Sequence, residues 1–136
     1  MKTTIKLSLL LFLALLNVNC NNKKTSKTKT EFGEINVIAP KEFKEKSIDN
    51  TIIDIRTPNE FLEGHIDGAV NINYFDKNFL DEISKLDKTK PIFMYCRSGN
   101  RTSSASKKIS KLGFEQVYDL QGGILNWIKT NHEIVK

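Results

Sequence analysis

Ile92-Phe93-Met94-Tyr95-Cys96-Arg97-Ser98-Gly99-Asn100-Arg101 carries an unbroken apolar run into a polar, glycine-containing loop, and Pro91 marks its start. Four consecutive apolar residues after a proline read as a strand covered on both faces, the habit of a central strand in a parallel sheet. Beyond the loop, Thr102 to Leu112 places Ala105, Ile109 and Leu112 at spacings of four and three, which predicts a helix with one buried face, stopped at Gly113. A strand, a loop carrying a cysteine and a helix in that order is one repeat of an α/β fold.

The flanking sequence extends the same alternation. Ile35 to Ile38, Thr51 to Ile55, Ala69 to Ile72 and Val117 to Leu120 are short apolar or β-branched runs, predicted as strands, with Thr51 to Ile55 inside the sheet. Pro40 to Lys46, a turn opened by Thr57-Pro58, Asp76 to Leu86 and Ile124 to Thr130 are predicted as helices. In the third of these, Phe79, Leu80, Ile83 and Leu86 form one apolar face. The expected architecture is α/β: a central, mostly parallel sheet with helices on both faces. Trp127 is expected in the core and His132 in a solvated tail.

Residues 1–20 read differently from this domain. Lys2 and Lys6 precede an apolar stretch from Leu7 to Leu16, and Cys20 follows. That order is an export signal, too short in its apolar part to span a bilayer comfortably. Cys20 directly after the apolar segment resembles the lipid-modified first residue of a mature bacterial lipoprotein. Leu16 and Asn17-Val18-Asn19 depart from the usual spacing of that signal, so a cleaved, soluble form is the alternative. Residues 21–30 hold Lys23, Lys24, Lys27 and Lys29 among Asn, Thr and Ser, and are expected to be a flexible tether. The folded domain is then 31–136, exported to the periplasm or cell envelope, with the membrane as a partner through the lipid.

Of 21 Lys and Arg, six precede residue 31, which leaves 15 against 16 acids in the domain itself. The overall charge of +5 therefore belongs to the N-terminus, and nucleic acid is not an expected partner. The domain has one cysteine, Cys96, and so no internal disulfide partner for it. An unpaired thiol in an exported protein directs attention to its surroundings.

Those surroundings favour reactivity. At the carboxyl end of a parallel strand, the next helix begins with unpaired N–H groups and a positive dipole end. A thiol there is stabilised as thiolate, the nucleophilic form. Gly99 permits a positive φ, so successive N–H groups can turn inward as an anion-binding nest. Arg97 and Arg101 add planar cationic forks suited to an oxyanion substrate, and Ser98 adds a hydroxyl donor. The competing reading is a buried, inert thiol, which leaves Gly99 and two arginines without a purpose.

Cys96-Arg97-Ser98-Gly99-Asn100-Arg101 resembles the active-site loop of the rhodanese family, single-domain sulfurtransferases that split thiosulfate. Asp54-Ile55-Arg56-Thr57-Pro58 with Glu60-Phe61, Gly64-His65-Ile66-Asp67-Gly68-Ala69, and Gly113-Phe114, Val117, Leu120, Gly122-Gly123-Ile124 with Trp127 resemble its other segments in order, over about residues 31–131. The resemblance implies Cys96 as the catalytic residue, Arg97, Ser98, Gly99, Asn100 and Arg101 as the substrate-binding loop, and no metal or cofactor. It implies a thiosulfate-like donor and a thiol, or other thiophilic acceptor, including a protein. Asp54 and Arg56 are expected as a structural ion pair, and His65 as a hydrogen-bonded turn residue.

Two other functions remain open at this stage. A cysteine phosphatase shares the fold, but such enzymes carry a loop one residue longer with histidine before the cysteine, where this chain has Tyr95. A rhodanese-like binding or sulfur-carrier module without independent turnover is the non-enzymatic alternative.

Overall fold

A computed structural model describes residues 24–136. The expected export signal and Cys20 lie outside the described residues. In chain order the elements are β1 (Ser26–Lys29), β2 (Glu34–Ile38), α1 (Pro40–Lys46), β3 (Thr51–Asp54), α2 (Pro58–Glu63), β4 (Ala69–Asn71), α3 (Phe79–Ser84), β5 (Ile92–Tyr95), α4 (Asn100–Ser110), β6 (Gln116–Leu120) and α5 (Gly123–Lys129). Among the described residues no helix is long and apolar enough to cross a membrane.

The six strands form one sheet in the order β1-β2-β6-β5-β3-β4. All neighbours from β2 to β4 are parallel. As expected, β5 and β3 lie inside it, which is why β5 is buried at every position. Its side chains alternate between two cores with the period of two that a strand imposes. Ile92, Met94 and Cys96 join Ile53, Ile83, Ala105, Ile109 and Phe114 on the side of α3 and α4. Phe93 and Tyr95 join Phe43, Ile124 and Trp127 on the side of α1 and α5. Fully burying a side chain such as Phe93 contributes roughly 1.5–3 kcal/mol, and its ring stacks on Tyr118 at 4.5 Å.

Three local departures from the sequence reading matter. Ser26–Lys29, inside the segment expected as a flexible tether, forms β1 and pairs antiparallel with β2. Every residue of β1 is exposed, so no apolar signal betrays it; backbone pairing and a 2.7 Å ion pair between Lys27 and Glu34 hold it. Lysines on such an edge also discourage further strand addition. The C-terminal tail, expected to be solvated at His132, folds back instead. The His132 ring lies 4.4 Å from Trp127, the Trp127 indole donates to Glu133 O at 2.8 Å, and Val135 pairs with His65. Finally, α4 begins at Asn100, before the expected Thr102, so the last loop residues already belong to the helix.

Candidate active site

Cys96 stands one residue beyond β5 and four before the start of α4, in the crevice where parallel strands end. The backbone turns between them through Gly99, whose φ of 91° is the left-handed conformation that glycine adopts without a Cβ clash. That turn brings the Gly99 amide back onto the sulfur, donating to Sγ at 3.1 Å. The Thr102 hydroxyl donates to Gly99 O at 3.1 Å and lies 3.7 Å from Sγ. Cys96 is only 1 % exposed, with one wall apolar. Burial by itself suits the inert reading; an amide aimed at the sulfur does not, because it stabilises the anionic form.

The loop is shaped from its far side by α5. The Ile124 amide donates to Cys96 O at 2.9 Å, and the Leu125 amide to Arg97 O at 3.2 Å. Across each planar trans peptide the carbonyl and the next amide point in opposite directions. Fixing those two carbonyls on α5 therefore turns the Arg97 and Ser98 amides away from it. Gly123 makes this contact possible: at φ 62°, a Cβ there would stand 2.5 Å from both carbonyl oxygens.

The two arginines of the loop part company. Arg97 is exposed, as are Ser98 and Asn100, and all three are free to meet a substrate from outside. Arg101, expected to bind substrate, lies folded against α2. Its Nη1 and Nη2 donate to the two Glu60 carboxylate oxygens at 2.8 and 2.7 Å, and it stacks 5.7 Å from the Phe75 ring. Glu60 also caps α2, accepting from the Thr57 amide at 3.0 Å. The Arg101 guanidinium holds the Glu60 carboxyl down at about 2. In return the Glu60 carboxylate raises Arg101, and charge on Cys96 acts in the same sense. Arg101 is thus a loop fastener, tying the start of α4 to α2.

Beneath the loop, Arg56 Nε and Nη2 donate to the Asp54 carboxylate at 3.0 and 2.6 Å, and Nη2 also reaches Gly64 O at 2.7 Å. Both residues are buried. Asn71 donates to Asp54 O and Arg56 O, each at 2.9 Å, joining the ends of β3 and β4. The Tyr95 hydroxyl accepts from the Ile66 amide at 3.0 Å, and burial pushes that phenol far up. His65 stacks on Phe61 at 3.8 Å with Nδ1 3.0 Å from Phe61 O, a turn residue in its contacts.

A family model for the rhodanese-like domain matches residues 39–130. The chain belongs to the rhodanese-like domain family. Over 82 residues it is 42 % identical to a tRNA uridine(34) hydroxylase of Pelagibacter ubique, covering 60 % of this chain but 27 % of that protein. It is 38 % identical over 80 residues to the thiosulfate sulfurtransferase GlpE of Shewanella oneidensis, covering 59 % of this chain and 77 % of GlpE. Among solved structures, a rhodanese-related protein from Thermoplasma volcanium superposes with a TM-score of 0.66 at 28 % identity, covering 73 % of this chain and 96 % of the other. Family and relatives together support a sulfur-transfer role and an enzyme of the sulfurtransferase type.

Within this rhodanese-like domain, sequence reasoning brought Cys96 to Arg101 and the Asp54–Arg56 pair to the right end of the sheet. It gave no role at the site to four participants. Thr102 carried a signal, a hydroxyl three residues after the loop glycine. Gly123 carried one too, as half of a glycine pair opening a helix. Glu60 stood within the segment from Asp54 to Phe61 that carries the resemblance, but its tie to Arg101, 41 residues away, left no trace, and neither did that of Asn71, whose partners lie at least 15 residues away.

Proposed function

We propose that Cys96 accepts sulfane sulfur from thiosulfate or a similar anionic donor as a persulfide and hands it to a thiophilic acceptor. The observation that carries this reading is the Gly99 amide on Sγ at 3.1 Å, in a loop whose Cys96 and Arg97 carbonyls are held by α5. In the first half, the Cys96 thiolate attacks the outer sulfur of thiosulfate. The new S–S bond forms as the bond to the sulfonate sulfur breaks, and sulfite leaves with the electron pair. In the second half, a thiolate or cyanide attacks the terminal sulfur, and Cys96 departs as thiolate. No net electron is lost, so no redox cofactor is called for.

The same donors serve both halves, since negative charge sits on the Cys96 sulfur before attack, on the outer sulfur of the persulfide, and again on Cys96 at release. Arg97, exposed beside the loop, is placed to attract the donor anion. Thr102 and Arg101 act at one remove, through loop geometry and through charge.

We further read the chain as exported, with Cys20 lipidated as its anchor to the cell envelope and the domain displayed outside the cytoplasm. The support is the order of Lys2, Lys6, Leu7 to Leu16 and Cys20.

The test is to incubate the purified protein with thiosulfate and weigh it intact. One added sulfur atom on Cys96, removed by cyanide as thiocyanate, is expected, and Cys96→Ser is expected to lose both while keeping its thermal transition. A wild-type chain that neither gains sulfur nor forms thiocyanate removes the reading. Turnover of an aryl phosphate would put the phosphatase in its place.

A further inference from the structure

Two exposed apolar side chains stand beside the Cys96 loop. Phe75 lies between β4 and α3, and its ring carries the Arg101 guanidinium at 5.7 Å. Leu125 lies in the first turn of α5, and its amide donates to Arg97 O at 3.2 Å. Phe75 is 66 % exposed and Leu125 47 %. They belong to opposite faces of the sheet: Tyr74 and Phe79, on either side of Phe75 in the chain, pack into the core under α3 and α4, and Ile124 and Trp127 into the core under α1 and α5.

The turn that carries Phe75 is tied on several sides. Asn73 Oδ1 accepts from the Phe75 amide at 3.2 Å, and Asn73 Nδ2 donates to Asp76 at 2.9 Å. The Tyr74 amide donates to Ile55 O at 3.0 Å, and the Tyr74 ring packs edge-on against both Phe75 and Phe79. A ring fixed by its neighbours and still two-thirds in water loses little conformational freedom when a partner covers it. Aromatic side chains of that kind anchor interfaces.

The two half-reactions make unequal use of such a surface. A thiosulfate-like donor is a small anion with no apolar area, and it gains nothing from Phe75 or Leu125. Cys96 is 1 % exposed, so an acceptor has to bring its sulfur down to the loop while the rest of it covers the rim. Cyanide has nothing to place there, and a compact thiol meets one side chain or the other. A polypeptide segment crossing over Cys96 meets both.

We propose that Phe75 and Leu125 select the sulfur acceptor, and that this acceptor is a cysteine in a polypeptide with apolar residues beside it; the inference rests on the reading of Cys96 as a sulfur carrier. The acceptor thiolate attacks the outer sulfur of the Cys96 persulfide. A new S–S bond forms on the acceptor, the bond to Sγ breaks, and Cys96 leaves with the electron pair as thiolate, so nothing is oxidised or reduced overall. The neighbouring carboxylates are engaged and do not oppose an apolar partner: Glu60 is paired with Arg101, and Asp76 accepts from Asn73.

The test loads the purified full-length chain with thiosulfate, removes the excess donor, and follows by mass the loss of the added sulfur from a proteolytic fragment that contains Cys96. The acceptors are two N-acetylated, C-amidated tripeptides, Leu-Cys-Leu and Ser-Cys-Ser, both uncharged apart from the thiol. The wild-type chain is expected to react about ten-fold faster with the leucine peptide at sub-saturating concentration, the size of effect that small apolar contacts supply. The ratio of the two rates within one protein cancels any change in loading or in loop position. Phe75→Ser is expected to bring that ratio close to one, Leu125→Ser to lower it, and Phe75→Leu, which keeps an apolar side chain, to hold most of it. A ratio of one in the wild type, or a ratio that neither serine substitution lowers, overturns the assignment and leaves the sulfur-carrier reading standing. A wild-type chain that takes up no sulfur overturns both.

Discussion

Two arginine–carboxylate pairs sit at the same end of the sheet, and they differ in reach and burial. Asp54 and Arg56 are two residues apart, with side chains 0 % and 7 % exposed. Glu60 and Arg101 are 41 residues apart, 23 % and 19 % exposed. The first pair closes a local turn and is surrounded by protein, so its role is to let the chain fold with a charge inside. The second joins two helices that the chain reaches at different times, and so fixes where the reactive loop stands relative to α2. Proximity to Cys96 does not separate the two roles here; the separation comes from what each pair ties together.

The contrast is broken most forcefully at the buried pair. Asp54→Ala leaves Arg56 charged and unpaired, and is expected to cost about 3–5 kcal/mol of stability. Urea denaturation would read this as a lower midpoint with little change of slope. Sulfur loading per folded molecule should fall far less than the folded fraction does, and equal losses would merge the two pairs into one class.

Gly123→Ala attacks the loop from the α5 side. Its Cβ meets backbone at 2.5 Å in a left-handed conformation, with no flexible side chain to give way. A stability loss of about 1–3 kcal/mol is expected, together with a loss of sulfur loading that persists in the folded fraction. Normal loading in a folded G123A protein would show that the α5 contacts do not shape the site.

Arg101→Ala should invert the balance seen at Asp54. A pair this accessible contributes about 1 kcal/mol at most, whereas a loop displaced by even 1 Å can lower the rate roughly 100-fold. Thermal unfolding and single-turnover loading from thiosulfate measure the two halves. Combining it with Glu60→Ala should add little to either single change, the mark of residues acting as one unit.

The smallest expected effect is one of pH. Glu60 is held at about 2 by Arg101, below the 4.5 usual for the group. A depressed carboxyl stabilises the fold above its unfolded value, and that contribution fades as pH falls from about 4.5 toward 2. Glu60→Gln should therefore narrow the stability difference between neutral and acid conditions, read by urea unfolding across that window. An unchanged pH profile would mean that Arg101 does not hold this carboxylate in solution.

Sequence periodicity made much of the fold legible. Strand β5 showed as an apolar run because both its faces are covered, and α4 as spacings of three and four because only one of its faces is. Boundaries were less secure where the controlling feature was a single dihedral. Gly99 starts α4 at Asn100, and no hydrophobic pattern marks that position. His132 read as solvated because its only signal was a polar neighbourhood, while the apolar surface it covers belongs to Trp127, five residues earlier.

What this sequence determined unaided is the order of strands and helices, the cysteine at the end of a strand, and the loop chemistry around it. All of these are written in residues close along the chain, where spacing alone sets which face a side chain takes. Tertiary structure decided the rest: that Arg101 is spent on Glu60, that the first turn of α5 grips the Cys96 and Arg97 carbonyls, and that a polar lysine segment is an edge strand paired with β2. These are backbone or charge contacts between distant segments, and neither hydrogen bonds nor ion pairs leave a periodic trace in the residues that make them.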